Sequence, residues 1–472
     1  MGQNQRRTKI VATWGPAVAS EERLRGLMAA GVDVFRLNFS HASHTEIQRA
    51  VPLVRELAAE MGHEVSLMQD IQGPRLRTGL LPRGEPVRLV AGSTISVTSH
   101  DELGSPERLC IPYPHLTDDV QPGQRILIAD GTISLRVTAL RDGELEATVV
   151  NGGLLGEHKG VNLPDSSVSA DPLTPKDLDD LRFGVEIGVD YVAMSFVRRG
   201  SDVIACKRFI SELGRDTPLI AKIEHPEAIE NLEEILRESD GVMVARGDLG
   251  VEVSPERVPL LQKHIIMRAN QMGLPVITAT QMLESMVQRP IPTRAEASDV
   301  ANAVLDGTDA LMLSAETAVG DYPVEAVETM GRIALEAEAA ESNRHLFNGK
   351  EPAHVLANAA RELASELDAR ALLVFTRSGK SAETLSQQRP DLPIYALTPD
   401  EHVRRRLALW YGVSPLHAEI SEDIESMIDL GLAKLRELGA VVPHDRVVFF
   451  GSMPVRIGAP PNLINVFTVP EG

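Results

Sequence analysis

Lys222, Glu224 and Asp248 are the first residues whose types and spacing could perform chemistry. Lys222 and Glu224 end the apolar run LIAKIE, which predicts a β-strand, so both side chains leave that strand on the same face. Asp248 lies in a predicted turn, Arg246-Gly247-Asp248, after the next apolar run. Two carboxylates can hold a divalent cation and leave coordination positions open for a substrate, while a lysine can neutralise charge on a transferring group.

A buried salt bridge in a parallel sheet would explain these three residues without any chemistry. The surrounding pattern favours a site, because short apolar runs alternate with helical patterns eight times. This alternation predicts an α/β fold, a (β/α)8 TIM barrel, whose functional residues lie at the C-terminal ends of the strands. The predicted strands are Lys9–Thr13, Val34–Phe39, Ser66–Asp70, Tyr191–Phe196, Leu219–Glu224, Gly241–Arg246, Pro275–Thr280 and Ala310–Ala315.

Polar residues gather at one end of nearly every predicted strand, which is typical of a site and not of a core. They are Thr13, Asn38, Asp70, Ser195, Lys222, Glu224, Asp248, Thr280, Ser314 and Glu316.

The alternation of strands and helices is interrupted once and ends before the C-terminus. Residues 74–162 contain short alternating strands separated by turn signals, which predicts an all-β domain inserted after barrel strand 3. We expect the barrel in residues 1–73 and 163–343 and a C-terminal open α/β sheet domain in residues 344–472. An insertion at the catalytic end of a barrel could form a lid, although a passive insertion would have the same composition.

Composition excludes several classes of function. The net charge of −20 argues against binding to nucleic acid or to a membrane surface. The two cysteines, Cys110 and Cys206, support neither a disulfide framework nor a thiolate metal site. With no apolar run of membrane-spanning length and no signal-peptide pattern, we expect a cytoplasmic protein.

A series of motifs occurs along the chain in the order ATWGPA, FRLNFSHA, QGPRLRTG, KGVNLP, GVDYVAMSFVR, AKIEH, VMVARGDLG, PVITATQMLESM, PTRAEASDVANAVLDGTDALMLSAET and GDYP. Together, over essentially the whole chain, these motifs resemble the pyruvate kinase family. The resemblance implies phosphoryl transfer from phosphoenolpyruvate to ADP, giving pyruvate and ATP in the last step of glycolysis. It also implies a homotetramer.

The resemblance assigns roles to residues at the strand ends. Glu224 and Asp248 would bind Mg²⁺ (or Mn²⁺), while Lys222 and Arg36 would stabilise the transferring phosphoryl group. The backbone of Gly247 and Asp248 would receive the substrate carboxylate. Thr280 would lie where a proton reaches the enolate carbon, with Ser314 and Glu316 on that proton route.

Four further residues match positions at which members of the family contact the nucleotide. These residues are Asn38, His41, Arg77 and Lys159.

Taken singly, several of the proposed site residues have structural explanations. These are an ion pair for Arg36, a helix cap for Thr280, turn hydrogen bonds for Asn38 and Ser40, and a surface role for His41. Their convergence on one barrel end favours a site.

Arg75 is the most informative departure from the family pattern. Many members have Glu there and bind K⁺ at positions that match Asn38, Ser40, Asp70 and Ile71. A fixed guanidinium could supply that positive charge, so we expect K⁺ not to be required. A milder departure is His225, which replaces Asn after the KIE sequence.

The C-terminal domain is similar to the regulatory domain of the family. The loop Thr376, Arg377, Ser378, Gly379, Lys380, Ser381 precedes a predicted helix and matches an effector phosphate loop. A polar helix cap explains the same residues equally well. The partner loop at 451–461 carries Arg456 and is unlike that of the fructose 1,6-bisphosphate-regulated enzymes, so we expect a sugar monophosphate or a nucleotide monophosphate as allosteric effector.

Two other functions stay open at this point. A metal-dependent aldolase barrel of pyruvate or phosphoenolpyruvate chemistry would also pair carboxylates, but it has no need for Lys222 beside Arg36 or for a basic lid. A catalytically silent paralogue that binds only an effector would not need Lys222, Glu224, Asp248 and Thr280 intact.

Overall fold

The computed structural model describes residues 6–340, 347, 349–421, 423–453 and 460–471. Its strands, in chain order, are β1 (Lys9–Thr13), β2 (Val34–Asn38), β3 (Ser66–Ile71), β4 (Val87–Leu89), β5 (Thr94–Thr98), β6 (Arg108–Cys110), β7 (Arg125–Ile128), β8 (Ile133–Arg141), β9 (Glu144–Asn151), β10 (Gly153–Leu155), β11 (Val161–Asn162), β12 (Tyr191–Met194), β13 (Leu219–Ile223), β14 (Gly241–Ala245), β15 (Val276–Ala279), β16 (Ala310–Leu313), β17 (Ala371–Phe375), β18 (Ile394–Thr398), β19 (Val413–His417), β20 (Arg446–Gly451) and β21 (Leu463–Thr468).

Most helices surround the barrel or cover the C-terminal sheet, and α3 lies in the inserted domain. In chain order they are α1 (Glu21–Ala29), α2 (His44–Met61), α3 (Leu116–Asp119), α4 (Pro175–Ile187), α5 (Gly200–Glu212), α6 (Pro226–Glu230), α7 (Leu232–Glu238), α8 (Arg246–Glu252), α9 (Val258–Gln271), α10 (Arg294–Asp306), α11 (Ala315–Ala318), α12 (Pro323–Ala339), α13 (Pro352–Glu366), α14 (Lys380–Ser386), α15 (Glu401–Leu407) and α16 (Ile424–Glu437).

Eight parallel strands close into a barrel in the order β1-β16-β15-β14-β13-β12-β3-β2. Most of their residues are buried, as expected for parallel strands covered on both faces. The predicted fold class is therefore confirmed. Most predicted strands extend one or two residues too far, because residues such as Phe39 and Phe196 already belong to the loops that follow the strands.

Local sequence signals begin and end several barrel helices. Capping boxes pair Ser43 with Glu46 at α2 and Thr293 with Glu296 at α10, so the side chains satisfy the first free N–H groups. Left-handed Gly307 ends α10, a backbone conformation that glycine adopts without a steric penalty. These caps fix where each loop leaves its helix and therefore where the next strand starts.

The inserted domain contains a six-stranded sheet, in the order β11-β7-β8-β9-β5-β6, and a two-stranded sheet of β4 and β10. It has its own apolar core, which includes Ile95, Val97, Ile126, Leu135 and Leu145. The short strands β6, β10 and β11 were not among the sequence predictions, because runs of two or three residues are too short to show an alternating pattern.

The C-terminal domain is a five-stranded sheet in the order β19-β18-β17-β20-β21, with only β21 antiparallel to its neighbour. It packs on the end of the barrel opposite the predicted site. There, Arg389 forms an ion pair of 2.8 Å with Asp309 and donates to the Thr308 carbonyl. The predicted boundary at residues 343 and 344 lies outside the described residues. In the described part of the chain, no helix combines the length and the apolar composition needed to cross a bilayer.

Candidate active site

Lys222 is the centre of a buried polar cluster at the C-terminal end of the barrel. Its Nζ lies 3.2 Å from Asp70 Oδ1, 2.8 Å from Glu224 Oε1 and 2.7 Å from Ser195 Oγ. Burial alone would lower the pKa of Lys222, but the charges of Asp70 and Glu224 raise it. The side chain is therefore a fixed ammonium cation.

Arg36 brings a second cation to the same carboxylate. Its Nε lies 2.6 Å from Asp70 Oδ2, and one terminal nitrogen donates to Thr13 Oγ1 at 3.1 Å. Burial opposes ionisation of Asp70, yet the charges of Arg36 and Lys222 keep the pKa of Asp70 below its ordinary value. Two positive groups thus lie side by side, an arrangement suited to binding a phosphoryl group.

Glu224 and Asp248 fit the requirements for a divalent cation that also binds substrate. Glu224 is 1 % exposed, and one of its oxygens accepts the Phe196 N–H at 2.9 Å. Burial raises the pKa of Glu224, and the nearby Asp248 carboxylate raises it further. The ion pair with Lys222 lowers the pKa but does not cancel these two effects. A divalent cation between the two carboxylates would relieve their repulsion.

The protein supplies few ligands for such an ion. Among the described residues, no group of three or more His, Cys, Asp or Glu side chains is arranged to hold a metal. Mg²⁺ is commonly bound through one or two carboxylates with substrate oxygens and water completing the octahedron, so a pair of carboxylates suffices.

Gly247 and Asp248 lie in the first turn of helix α8, where a turn was predicted. The N–H groups of a first helical turn have no partner within the helix, so they are available to acceptors. Gly247 donates its N–H to Thr280 Oγ1 at 2.7 Å. A Cβ added at Gly247 would lie 3.2 Å from that oxygen, so a larger residue would have to push the Thr280 side chain away by a few tenths of an ångström.

Thr280 and Gln281 have left-handed backbone conformations, with φ of 67° and 54°. This region disfavours a β-branched residue such as threonine, and such strain persists only where surrounding contacts enforce it. Arg246 provides those contacts. Its guanidinium donates to the carbonyls of Ala279, Thr280 and Gln281 at 3.3, 2.7 and 3.2 Å and pairs with Asp299 at 2.6 Å.

Glu316 is fully buried beside the barrel mouth, and its carboxylate accepts the N–H groups of Leu283 and Ser314 at 3.0 and 2.7 Å. Burial raises the pKa of Glu316. The Ser314 hydroxyl has no hydrogen-bond partner among the described residues. Both residues predicted for a proton route thus lie at the end of β16, next to the strand that leads to Thr280.

The predicted nucleotide residues lie where the inserted domain meets the barrel. Arg77 forms an isolated antiparallel β-bridge with Gly160, and its guanidinium donates to the His158 carbonyl at 2.9 Å. Lys159, which lies between these two residues in the chain, is exposed. Partial burial lowers the pKa of His41, and the positive charges of Arg75, Arg36 and Arg77 add to this effect. These arginines therefore surround one region of space.

The predicted monovalent-cation residues lie on the neighbouring strands β2 and β3, except Ser40, which is in the turn after β2. Asn38 and Asp70 are register partners, and Asn38 Oδ1 accepts the Ser40 N–H at 3.1 Å. The Ile71 carbonyl accepts the Ser195 hydroxyl at 2.7 Å. Arg75 lies beside Gly160, where an added Cβ would be 3.7 Å from a terminal guanidinium nitrogen.

The loop Thr376–Ser381 borders a cavity of about 690 Å³ in the C-terminal domain. Gly379 has a left-handed φ of 90° and donates to Thr376 Oγ1 at 2.9 Å, which places Lys380 at the start of α14. The exposed Arg377 and Lys380 give the cavity a basic wall. Arg456, predicted on the partner loop, lies outside the described residues.

Two contributors to the site were not assigned roles from sequence. Ser195 joins Lys222 to the Ile71 carbonyl, although its position at a strand end had been noted. Arg246 had been noted only as part of a turn, and its partner Asp299 lies 53 residues away. We call the hydrogen bonds from the Arg246 guanidinium to the carbonyls at residues 279–281 the Arg246 brace. The sequence signal that could have identified it is an arginine directly before the glycine of a motif at a strand end.

Comparisons with known proteins agree with the geometry. The model of the pyruvate kinase barrel domain matches residues 5–327, and that of the pyruvate kinase alpha/beta domain matches residues 354–467. A pyruvate kinase from Geobacillus stearothermophilus is 44% identical, over 99% of this chain and 81% of that protein. One from Agrobacterium vitis is 45% identical, over 96% of this chain and 94% of that protein.

A solved structure is similar over nearly the whole chain. The crystal structure of a pyruvate kinase from Cryptosporidium parvum superimposes with a TM-score of 0.94 at 36% identity, covering 98% of this chain and 96% of the other. The closed barrel with its inserted and C-terminal domains thus defines a phosphotransferase. The chain belongs to the pyruvate kinase family.

The Arg246 brace leads to a test of how the strained loop contributes to turnover. Arg246→Lys keeps the charge facing Asp299, but an ammonium group cannot reach three carbonyls in the planar manner of a guanidinium. Because Thr280 would lose its fixed position, we expect kcat for pyruvate formation to fall by up to about 100-fold.

Arg268→Lys is the matched control and should leave kcat unchanged, because Arg268 on α9 forms a partly exposed ion pair with Glu233 on α7. Steady-state kinetics on both variants, with urea midpoints to verify folding, measure the difference. An Arg246→Lys protein with the native kcat would show that the brace has no part in catalysis.

Proposed function

We propose that the protein transfers the phosphoryl group of phosphoenolpyruvate to ADP and forms pyruvate and ATP. The observation that carries this proposal is the buried Lys222 cation between Asp70 and Glu224, with Arg36 beside it, in a chain of the pyruvate kinase family. Both substrates are anionic, so the reaction requires cations fixed in place before the substrates arrive.

The cations act on the transferring group. Phosphoryl transfer passes through a loose transition state whose charge is spread over the equatorial oxygens, and catalysis consists mainly of positioning and charge stabilisation. Lys222 Nζ and the terminal nitrogens of Arg36 can donate to those oxygens. Both side chains are already held by Asp70, so little reorganisation is needed during the reaction.

Glu224 and Asp248 would hold Mg²⁺ or Mn²⁺. When bound, this ion would neutralise charge on substrate oxygens and orient them. The family shows a general dependence on divalent metal, and the choice between the two ions is part of the proposal.

The strand ends also serve the carboxylate and the enolate. The N–H groups in the first turn of α8, apart from that of Gly247, which Thr280 Oγ1 already accepts, can receive the substrate carboxylate. Gly247 lets the ligand approach this backbone closely. Once the phosphoryl group has left, the enolate must gain a proton at carbon to become a ketone. Thr280 follows strand β15 and bonds to the first turn of α8. Ser314 and Glu316 follow the adjacent strand β16.

The nucleotide would bind between the barrel and the inserted domain. Arg77 and Lys159 come from the inserted domain, and Asn38 and His41 follow β2 of the barrel. Movement of the inserted domain would bring the two basic side chains to the ADP phosphates and exclude water, which strengthens every charge interaction in the site. Neither an aldolase nor a silent paralogue accounts for this set of cations.

Removing the Lys222 cation tests the proposed chemistry directly. Lys222→Met keeps an unbranched side chain, one atom shorter, but leaves Asp70 and Glu224 without their shared cation. We expect the rate of pyruvate formation from phosphoenolpyruvate, ADP and Mg²⁺ to fall by about 1000-fold.

Lys263→Met is the matched control, because Lys263 pairs with Asp306 on the barrel surface, where its side chain is 53% exposed. A coupled assay measures both variants after circular dichroism has established that they are folded. If native protein produced no pyruvate with effectors supplied, the proposed reaction would be wrong.

We further propose that K⁺ is not required, because the Arg75 guanidinium would supply a positive charge in place of the ion that relatives bind. Its charge acts on His41, which follows the Asn38–Ser40 turn. Asn38, Ser40, Asp70 and Ile71 keep oxygen atoms that could still bind the ion.

Arg75→Glu tests whether the Arg75 guanidinium takes the place of K⁺. Without K⁺ we expect turnover to fall about 100-fold, because a carboxylate replaces a cation near the phosphates, and added K⁺ should restore much of the loss. Arg88→Glu, on the exposed face of β4, is the charge-matched control. The assay excludes ammonium and balances ionic strength with sodium. Strong activation of the native protein by K⁺ would contradict the proposal.

The Thr376–Ser381 loop is proposed as the site of a phosphorylated effector, supported by the cavity of about 690 Å³ and its basic wall. We expect a hexose 6-phosphate or a nucleoside 5′-monophosphate to shift the phosphoenolpyruvate saturation curve. Lys380→Ala should weaken that shift, since a charge-assisted hydrogen bond to phosphate is lost. Calorimetric titration with each compound measures binding, and an unchanged titration in Lys380→Ala would exclude this loop.

The assembly and the location of the protein complete the proposal. Membership of the family supports a homotetramer, which light scattering on the purified protein would test. The two cysteines are free and buried, in keeping with a cytoplasmic location, and cell fractionation would test it.

A further inference from the structure

Glu252 connects the inserted domain to helix α8. It is the last residue of that helix, and its side chain is 4 % exposed. Asn162, in the strand β11 through which the chain returns from the inserted domain, donates its Nδ2–H to Glu252 Oε1 at 2.6 Å. The same helix carries Gly247 and Asp248 at its other end. A shift of the returning strand therefore acts on the helix that carries one proposed metal ligand.

The second Glu252 oxygen faces His225, which directly follows the other proposed metal ligand, Glu224. His225 Nδ1 accepts the Glu227 N–H at 3.2 Å, so in the neutral ring the proton is on Nε2. That nitrogen lies 4.0 Å from Glu252 Oε2. Neither atom has a hydrogen-bond partner among the described residues, and His225 is only 7 % exposed.

A cavity of about 40 Å³ lies at this junction and has room for one water molecule. It is lined by residues of both domains, including Leu76, Asn162, Leu163, Phe196, His225 and Glu252. Phe196 also donates its N–H to Glu224. The junction therefore touches elements next to both carboxylates.

A buried carboxylate is a costly choice for packing alone. Burying an ionisable group without full pairing costs free energy, and an apolar side chain of similar size would usually stabilise the same contact better. At Glu252 one oxygen is bonded to the inserted domain and the other is directed at the residue after Glu224. This arrangement serves the placement of three segments relative to one another.

We infer that Glu252 is a positioning residue that, through Asn162 and His225, links the position of the inserted domain to the separation of Asp248 and Glu224. The inference rests on the proposed function, because it assumes that these two carboxylates hold the divalent cation. Groups that orient metal ligands without touching the metal typically change metal affinity or activity by about 10–100-fold when they are replaced.

Asn162→Leu tests the link, because it removes the hydrogen bond to Glu252 without adding or removing an ionisable side chain. We expect it to weaken the binding of Mn²⁺ alone, measured by electron paramagnetic resonance on the full-length protein, by about 10-fold. The concentration of divalent cation that half-saturates pyruvate formation should rise equally, with kcat largely recovered when the ion is in excess.

Tyr113→Phe is the matched control. It removes a buried hydrogen bond to Asp119 within the inserted domain without touching α8, and it should leave Mn²⁺ affinity unchanged. Glu252→Asp is the second variant, because it keeps the charge but shortens the side chain away from Asn162 and His225. It should weaken Mn²⁺ binding as Asn162→Leu does, and it decides the matter if Asn162→Leu does not fold.

The outcomes separate the link from the function on which it rests. Folded Asn162→Leu and Glu252→Asp proteins with native Mn²⁺ affinity would overturn the link while native turnover kept the proposed function. A native protein that neither binds Mn²⁺ nor forms pyruvate would overturn both. Equal loss of affinity in Tyr113→Phe would show that general loosening of the inserted domain, and not this contact, is responsible.

Discussion

The buried ammonium group of Lys222 is the constraint on which the site depends. A charge removed from water must be paired, and this one is paired with carboxylates that follow or belong to different strands. Asp70 is shared in turn with Arg36, so β2, β3 and β13 must hold their register for any of these charges to be tolerated. Closure of the barrel and placement of the cations are therefore one requirement.

Strain is concentrated at the same end of the barrel. Phe196, Thr280 and Gln281 all have positive φ, and each lies within two residues of the end of a strand. Two of them are held by the Arg246 guanidinium, while the N–H of Phe196 is held by Glu224. Polar contacts among functional groups thus also maintain backbone conformations that the local sequence would not choose, which makes the mouth of the barrel a single cooperative unit.

The sequence predicts the barrel strands well because parallel strands buried on both faces are apolar over most of their length. The strand Lys9–Thr13, for which prediction and structure coincide, has such an apolar centre. It predicts poorly where few residues carry the pattern, as in β6 and β10. The sequence also predicts that Lys222, Glu224 and Asp248 share one candidate site, because all three lie at or just after the C-terminal ends of barrel strands. The bond from Ser195 to Lys222 and the brace from Arg246 depend on how side chains approach across strands and loops, and no periodicity encodes such distances.

The position of the inserted domain has a consequence for the order in which the protein folds. β3 pairs with β12, but the entire insertion separates them along the chain, and β1 pairs with β16 near residue 310. During synthesis the first three strands must wait, with their apolar side chains uncovered, for partners that emerge much later. The insertion consists mainly of antiparallel neighbours and has a separate core, so it can fold first. This protein should therefore depend on chaperones during the interval before the barrel closes.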